Sequence, residues 1–256
     1  MIMSRRRFYA PPSAFDFGEM VVTLAPDEAR HLRDVLRLKR GDEAFVFDGE
    51  GREYRCRIVE SGREGARLEI GEEVQSKPPE SKLRLHLGVA LLKGEKFDLV
   101  VQKATELGVT GIVPVLTKFA DVRIRDDADA ARRVVRWKRI ALEAAKQSGR
   151  ASLPEIAGPQ PFTSVIESVA ATVSECRLFF SERGGGGLDE ALRQYLPALK
   201  SVAALVGPEG GWADEEIEQA RASGWNIITL GGHTLRAETA AIIVAALLQH
   251  RLGDLG

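Results

Sequence analysis

The chain has 256 residues, enough for one large domain or two smaller ones, and its 44% hydrophobic and 29% charged residues describe a globular protein, not a disordered one. Its longest apolar stretch, Ala240 to Leu248, is too short to cross a bilayer, and Met1 to Tyr9 is basic without an apolar signal core, so a cytoplasmic protein is expected. Cys56 and Cys176 have no further cysteine or histidine at ligand spacing, which argues against a metal site or a disulfide framework.

Residues 1–75 read as short strands and turns. Val21-Val22-Thr23-Leu24 precedes Asp27, the expected N-cap of a short helix through Leu36. Ala44 to Phe47 and Tyr54 to Val59 flank the turn signal Asp48-Gly49-Glu50-Gly51, and Arg67 to Ile70 closes the set. Such spacing argues for a small barrel. Gln75 to Ser81, polar and with adjacent prolines Pro78-Pro79, reads as a stiff connection, and the domain boundary is set there, giving domains 1–75 and 76–256.

In the second domain Leu83, Leu85, Leu87 and Val89 alternate with polar or small residues in a strand that carries a packed histidine, His86. A helix follows from Lys93 to Leu107 with Gly108 as its left-handed terminus. Ile112 to Leu116 reads as a strand in which Pro114 suggests an edge position or a strand end. Ala131 to Ser148 is amphipathic, with Val134, Trp137, Ala141 and Ala144 in one stripe. Cys176 to Phe180 is a strand, Gly184 to Gly187 a flexible surface loop, and Leu188 to Leu199 a helix. A last helix starts at Glu238 or Thr239, with Ile242, Ile243, Ala246 and Leu247 on an apolar face that suits either a core or a dimer interface.

Two apolar runs in the last quarter each end in glycines: Val202 to Val206 before Gly207-Pro208-Glu209-Gly210-Gly211, and Ile227 to Leu230 before Gly231-Gly232. Each run has the length and β-branching of a buried parallel strand, so the turns are expected side by side at the carboxyl edge of an α/β sheet, where ligands bind. Glycines let a backbone approach a small molecule closely, although a strand-to-helix turn needs them for geometry alone. Trp212-Ala213 replaces the Lys-Ser/Thr of a P-loop, and Glu209, Asp214, Glu215, Glu216 and Glu218 disfavour a polyphosphate. The expected ligand is neutral or cationic where it meets the loop.

A net charge of −1 makes no overall case for nucleic acid, but its distribution does. Arg30, Arg33, Arg37, Lys39 and Arg40 oppose only Asp34, and Arg132, Arg133, Arg136, Lys138, Arg139, Lys146 and Arg150 oppose only Glu143. Either cluster can neutralise phosphates, or serve as a solvated helix face.

Leu205-Val206-Gly207-Pro208-Glu209-Gly210-Gly211, followed by Leu230-Gly231 and Leu235-Arg236-Ala237-Glu238-Thr239-Ala240, resembles the RsmE family of the SPOUT superfamily. Arg6-Arg7-Phe8-Tyr9, His31-Leu32, Thr105 to Val109 and Gln147 to Arg150 extend the likeness over nearly the whole chain, with departures at Lys146, His233 and Ala237. The resemblance implies a PUA-like RNA-binding barrel over 1–75 and a knotted α/β SPOUT domain over 76–256, usually in a homodimer. It implies methylation of N3 of one uridine in 16S rRNA of the small ribosomal subunit, with S-adenosylmethionine as cofactor and no metal or membrane.

In that reading Leu205, Gly207, Pro208, Glu209, Gly210, Leu230, Gly231 and Leu235 hold the cofactor. Arg236 offsets charge on the uracil, and Glu238 accepts a proton or caps the helix. Arg6, Arg7, Arg33, Arg37, Lys93, Arg136, Arg139 and Arg150 contact RNA. Two other readings are a non-catalytic RNA-binding ribosome assembly factor and an α/β enzyme acting on a free nucleotide.

Overall fold

The computed structural model describes residues 5–75, 80–172, 175–195 and 199–255. The prolines Pro78-Pro79 and the stretch 196–198 of the expected fifth helix lie outside these residues. The chain divides into two compact units, 1–80 with 142–153 and 81–141 with 154–256. Residues 142–153 fall in the first unit, a placement that a linear boundary between 75 and 76 does not express.

The first unit contains β1 (Arg7–Tyr9), β2 (Phe15–Asp16), β3 (Val21–Leu24), α1 (Pro26–Arg30), β4 (Glu43–Phe47), β5 (Glu53–Ser61) and β6 (Ala66–Val74). The strands form a six-stranded sheet in the order β1-β4-β5-β6-β3-β2, antiparallel except where β1 meets β4. Alternation along β5 and β6 buries Cys56, Ile58, Leu68 and Ile70 with Phe8, Val22, Leu24 and Leu32, while their charged neighbours face out. α1 starts two residues earlier than expected. Ala25 is the N-cap and Pro26 takes the first helical position, where a missing N–H costs nothing; Asp27 then sits in the first turn. The helix widens into a π turn at His31–Val35 and stops at Arg37, whose φ is +54°.

The second unit runs through β7 (Arg84–Ala90), α2 (Lys96–Glu106), β8 (Gly111–Leu116), α3 (Asp127–Ser148, of which 142–148 fall in the first unit), β9 (Glu155–Ile156), β10 (Gln160–Pro161) and α4 (Phe162–Thr172). It continues with β11 (Cys176–Phe180), α5 (Leu188–Arg193), β12 (Ser201–Val206), α6 (Asp214–Ala222), β13 (Asn226–Ile228) and α7 (Ala237–Leu252). All its described strand pairs are parallel, in the order β10-β8-β7-β12-β11-β13 with β9 also on β8. Both faces are covered, so β12 is buried at every residue: Val202, Ala204 and Val206 join one cluster, Ala203 and Leu205 the other. α2 and α7 pack on the first face, α4 and α6 on the second.

Several expectations change here. β8 is not an edge, since it has partners on both sides. Pro114 is tolerated because it lies between the registers of β9, opposite 111–112, and β10, opposite 115–116, where the neighbouring ladder is interrupted. Gly184 to Gly187 is not a free loop. Gly186 bridges to Ile228, and a Cβ at Gly185 would lie 2.6 Å from the Ile228 carbonyl carbon, so glycine lets two backbones close up. α7 buries Ala241, Val244, Ala245 and Leu248, leaving Ile242, Ile243, Ala246 and Leu247 half-exposed. His86 packs against Gly111, where a Cβ would lie 2.5 Å from its Nδ1, and burial pushes its pKa down. Both thiols are buried, and burial pushes Cys56 and Cys176 each up to about 12. Among the described residues no helix is long and apolar enough to cross a membrane.

Candidate active site

β12 and β13 are not neighbours. β11 lies between them, so the two glycine turns are separated by the residues that follow β11. All three strand ends contribute to one cavity of about 480 Å³. That volume falls in the range of roughly 300–1,000 Å³ usual for small-molecule and cofactor sites. Ser181 and Glu182 come from the end of β11, Gly207 to Trp212 from β12, and Leu230 with Gly232 to Arg236 from β13, while Ala240 and Val244 of α7 complete it. Gly207, Pro208, Glu209, Gly210, Leu230, Leu235 and Arg236 are thus brought together. Leu205 and Gly231 are not in the lining. Leu205 is 1% exposed and its Cδ2 fills the space where a Cβ on Gly88 would stand.

The first turn is held from behind by the protein's own side chains. A Cβ on Gly207 would stand 2.8 Å from Nε1 of Trp212, whose buried indole donates to the Phe180 carbonyl at 2.8 Å and packs on Phe179 with ring centres 4.4 Å apart. A Cβ on Gly210 would meet that of Phe119 at 3.1 Å, and one on Gly211, where φ is +72°, would meet Glu182 Oε1 at 2.8 Å. These glycines make room for tryptophan, phenylalanine and glutamate, the geometric need that the sequence left open beside close ligand approach. The second turn differs. Residues 231–236 are exposed, and a Cβ on Gly231 or Gly232 would meet nothing within 4 Å.

The acids around the first turn are locally matched, which weakens the charge argument made from sequence. Glu209 pairs with Lys96 of α2, and this hydrogen bond raises the lysine pKa. Glu216 accepts from the backbone N–H of Ala213 at 3.0 Å and of Lys118 at 2.9 Å, Glu215 pairs with Lys118 at 3.2 Å, and Asp214 with Arg183 at 2.6 Å. Arg236 is exposed and its side chain has no ion pair or hydrogen bond among the described residues. Glu238 lies outside the lining at 8% exposure in the first turn of α7, and its Oε2 is buried without a partner among the described residues. Its charge favours the protonated form of Lys96, and that of Arg236 opposes it. No side chain caps α7 at Arg236.

An RNA methyltransferase domain family matches residues 79–249, and an RNA methyltransferase PUA domain family matches residues 24–71. Ribosomal RNA small subunit methyltransferase E of Synechocystis sp. is 35% identical over 96% of this chain and 77% of its own length, and that of Aquifex aeolicus is 30% identical over 91% and 95%. The chain belongs to the RsmE family of RNA methyltransferases. Among solved structures, ribosomal RNA small subunit methyltransferase E of Neisseria gonorrhoeae, bound to S-adenosyl methionine, matches with a TM-score of 0.84 and 31% identity over 98% of this chain and 100% of that one. A Legionella pneumophila methyltransferase in complex with the same cofactor matches with a TM-score of 0.85 and 30% identity over 98% and 99%.

In this RsmE-family chain the eight cations expected to meet RNA fall into three groups. Arg7 and Arg150 are built into the first unit. Arg7 pairs with Glu53 at 2.8 Å and donates to the carbonyls of Ala145 at 3.0 Å and Arg150 at 2.9 Å, closing the last turn of α3, while Arg150 is 6% exposed and pairs with Glu80 at 3.1 Å. Arg33 is half-buried, Lys93 and Arg136 are exposed, and all three are paired, with Asp34, Asp121 and Asp98. Arg6, Arg37 and Arg139 are exposed, with no side-chain ion pair among the described residues. Lys146 is drawn inward by Glu28 and Glu143.

Sequence reasoning missed Glu182 and Trp212. Glu182 follows the strand Cys176–Phe180 as the glycine turns follow theirs, a signal obscured by the tetraglycine beside it. In the sequence Trp212 signals only the absence of a P-loop lysine. Its part in shaping the wall depends on β11 lying beside β12, which local sequence does not specify.

Proposed function

We propose that the protein transfers a methyl group from S-adenosylmethionine to N3 of one uridine in 16S ribosomal RNA of the small subunit. The observation that carries this reading is the meeting of both glycine turns around one cofactor-sized cavity whose lining includes the unpaired Arg236. The lining suits such a cofactor: Val206, Leu230, Leu235 and Ala240 offer apolar surface for an adenine ring, and the turn backbones offer N–H and C=O groups, while the carboxylates of Glu182 and Glu209 are already paired with Arg183 and Lys96.

When bound, S-adenosylmethionine supplies a methyl group already activated by its sulfonium sulfur. The chain then has to hold the base and offset charge. Arg236 faces the cavity with its donors uncommitted and offsets the negative charge that grows on the uracil as N3 loses its proton. Glu238 does not line the cavity, so its role is to complement the N-terminus of α7 and the adjoining cations. Of the expected cofactor set, Leu205 and Gly231 stand behind or beside the cavity and not in its lining. Arg6, Arg37 and Arg139, with Arg33, Lys93 and Arg136, are the RNA contacts of this reading.

A homodimer belongs to the same reading, supported by the half-exposed Ile242, Ile243, Ala246 and Leu247 of α7. So do a cytoplasmic setting and a trefoil knot, the latter supported by the return of α7 to pack on β7 and α2.

Mass spectrometry of 16S rRNA from cells with and without the protein tests the reading, together with methyl transfer in vitro to small-subunit particles, bare rRNA and free uridine nucleotides. Loss of one 3-methyluridine and transfer to rRNA alone are expected. Transfer to free nucleotides would favour the nucleotide enzyme, and no cofactor heat by calorimetry would favour the assembly factor.

A further inference from the structure

Methylating a ring nitrogen requires more than a cofactor cavity. The base must leave its stack, and enzymes that take bases out of a stack give them a flat surface in exchange. In the second unit every described phenylalanine and tryptophan except one is at most 6% exposed. The exception is Phe119, at 48%.

A single exposed apolar residue is ordinary, so its setting matters. Phe119 follows β8 in a turn closed by the Ala120 N–H to the Thr117 carbonyl at 3.3 Å. On its N-terminal side the Lys118 N–H donates to buried Glu216 at 2.9 Å, which fixes the backbone from α6. Its Cβ and carbonyl oxygen press on Gly210, a residue of the cavity wall, at 3.1 and 3.3 Å from where a Cβ would stand. That contact accounts for the base of the side chain and leaves the ring open. Lys118 Nζ lies 5.8 Å from the ring centre, and Lys93 is held nearby through Asp121, two residues further on. A fixed backbone, an open aromatic face beside the cavity wall and adjacent ammonium groups are what a single-stranded nucleic acid meets in proteins that stack its bases and attract its phosphates.

We infer that Phe119 is a stacking platform for a base of the RNA strand whose uridine enters the cavity. This deepens the proposed function and rests on it. The ring positions the strand and takes no part in bond making.

The test compares wild type with Phe119→Ala, Phe119→Leu and Phe119→Trp. It measures methylation kinetics and binding to small-subunit particles and rRNA, cofactor affinity by calorimetry, melting temperature and oligomeric state. Phe119→Ala and Phe119→Leu should each raise KM and Kd for RNA about 10-fold or more, the worth of one base–aromatic stack, while Phe119→Trp retains wild-type values. Cofactor affinity, melting temperature and oligomeric state should not move. Wild-type RNA affinity in the alanine variant, rescue by leucine equal to that by tryptophan, or a loss that tracks cofactor affinity or oligomeric state would each overturn the platform. A wild-type protein that methylates no rRNA would instead defeat the proposed function itself.

Discussion

The two glycine turns around the cavity are similar in sequence and opposite in construction. In the first, Gly207, Gly210 and Gly211 give way to Trp212, Phe119 and Glu182, so the wall is set by packing before any ligand arrives. In the second, Gly231 and Gly232 face open space and the residues through Arg236 are exposed. A glycine-rich loop is therefore not one kind of object. One wall is part of the core, and the other is a surface segment that carries an uncommitted guanidinium.

The largest expected effect lies on the open wall. Arg236→Ala should lower kcat by roughly 100-fold or more, as loss of a charge-stabilising donor does, with no change in melting temperature because the side chain has no partner among the described residues. Full turnover in that variant would remove Arg236 from the mechanism. Next comes the packed wall. Gly207→Ala forces the Trp212 ring aside and should cost about 1–3 kcal/mol of stability in chemical denaturation, with weaker cofactor binding. Unchanged stability would mean that this wall is not held by its packing. A smaller loss, about 1 kcal/mol, is expected for Gly232→Ala, where φ is +95° and a side chain is strained whatever the space. Gly231→Ala should change stability by no more than about 0.5 kcal/mol, and a loss as large as that at Gly207 would erase the contrast between the walls.

The fold was legible wherever a strand was long and buried on both sides. β7, β11 and β12 carry runs of apolar residues that local patterning identifies. β9 and β10 are two residues each and α4 follows them directly, too little sequence for any period to register. Pro114 pointed to an edge because its missing N–H was visible and the break between β9 and β10 was not. At the site, the glycine turns and Arg236 stood out by residue type, whereas Glu182 depended on the order of strands across the sheet. The arginines show the same limit from the other side. Arg7 and Arg150 count as positive charge in any tally, yet Glu53, Glu80 and helix carbonyls consume them, because burial is decided by partners far along the chain.

β7 has one neighbour close in sequence and one remote. Its ladder with β8 joins Leu87 to Ile112, but its ladder with β12 joins Arg84 to Ser201 and Val89 to Val206. Closing so long a loop loses chain entropy before any contact repays it, and parallel pairing at that separation slows folding. The cavity wall that follows β12 therefore depends on a ladder closed between residues far apart in the chain, so affinity for a small molecule requires that long closure to be complete.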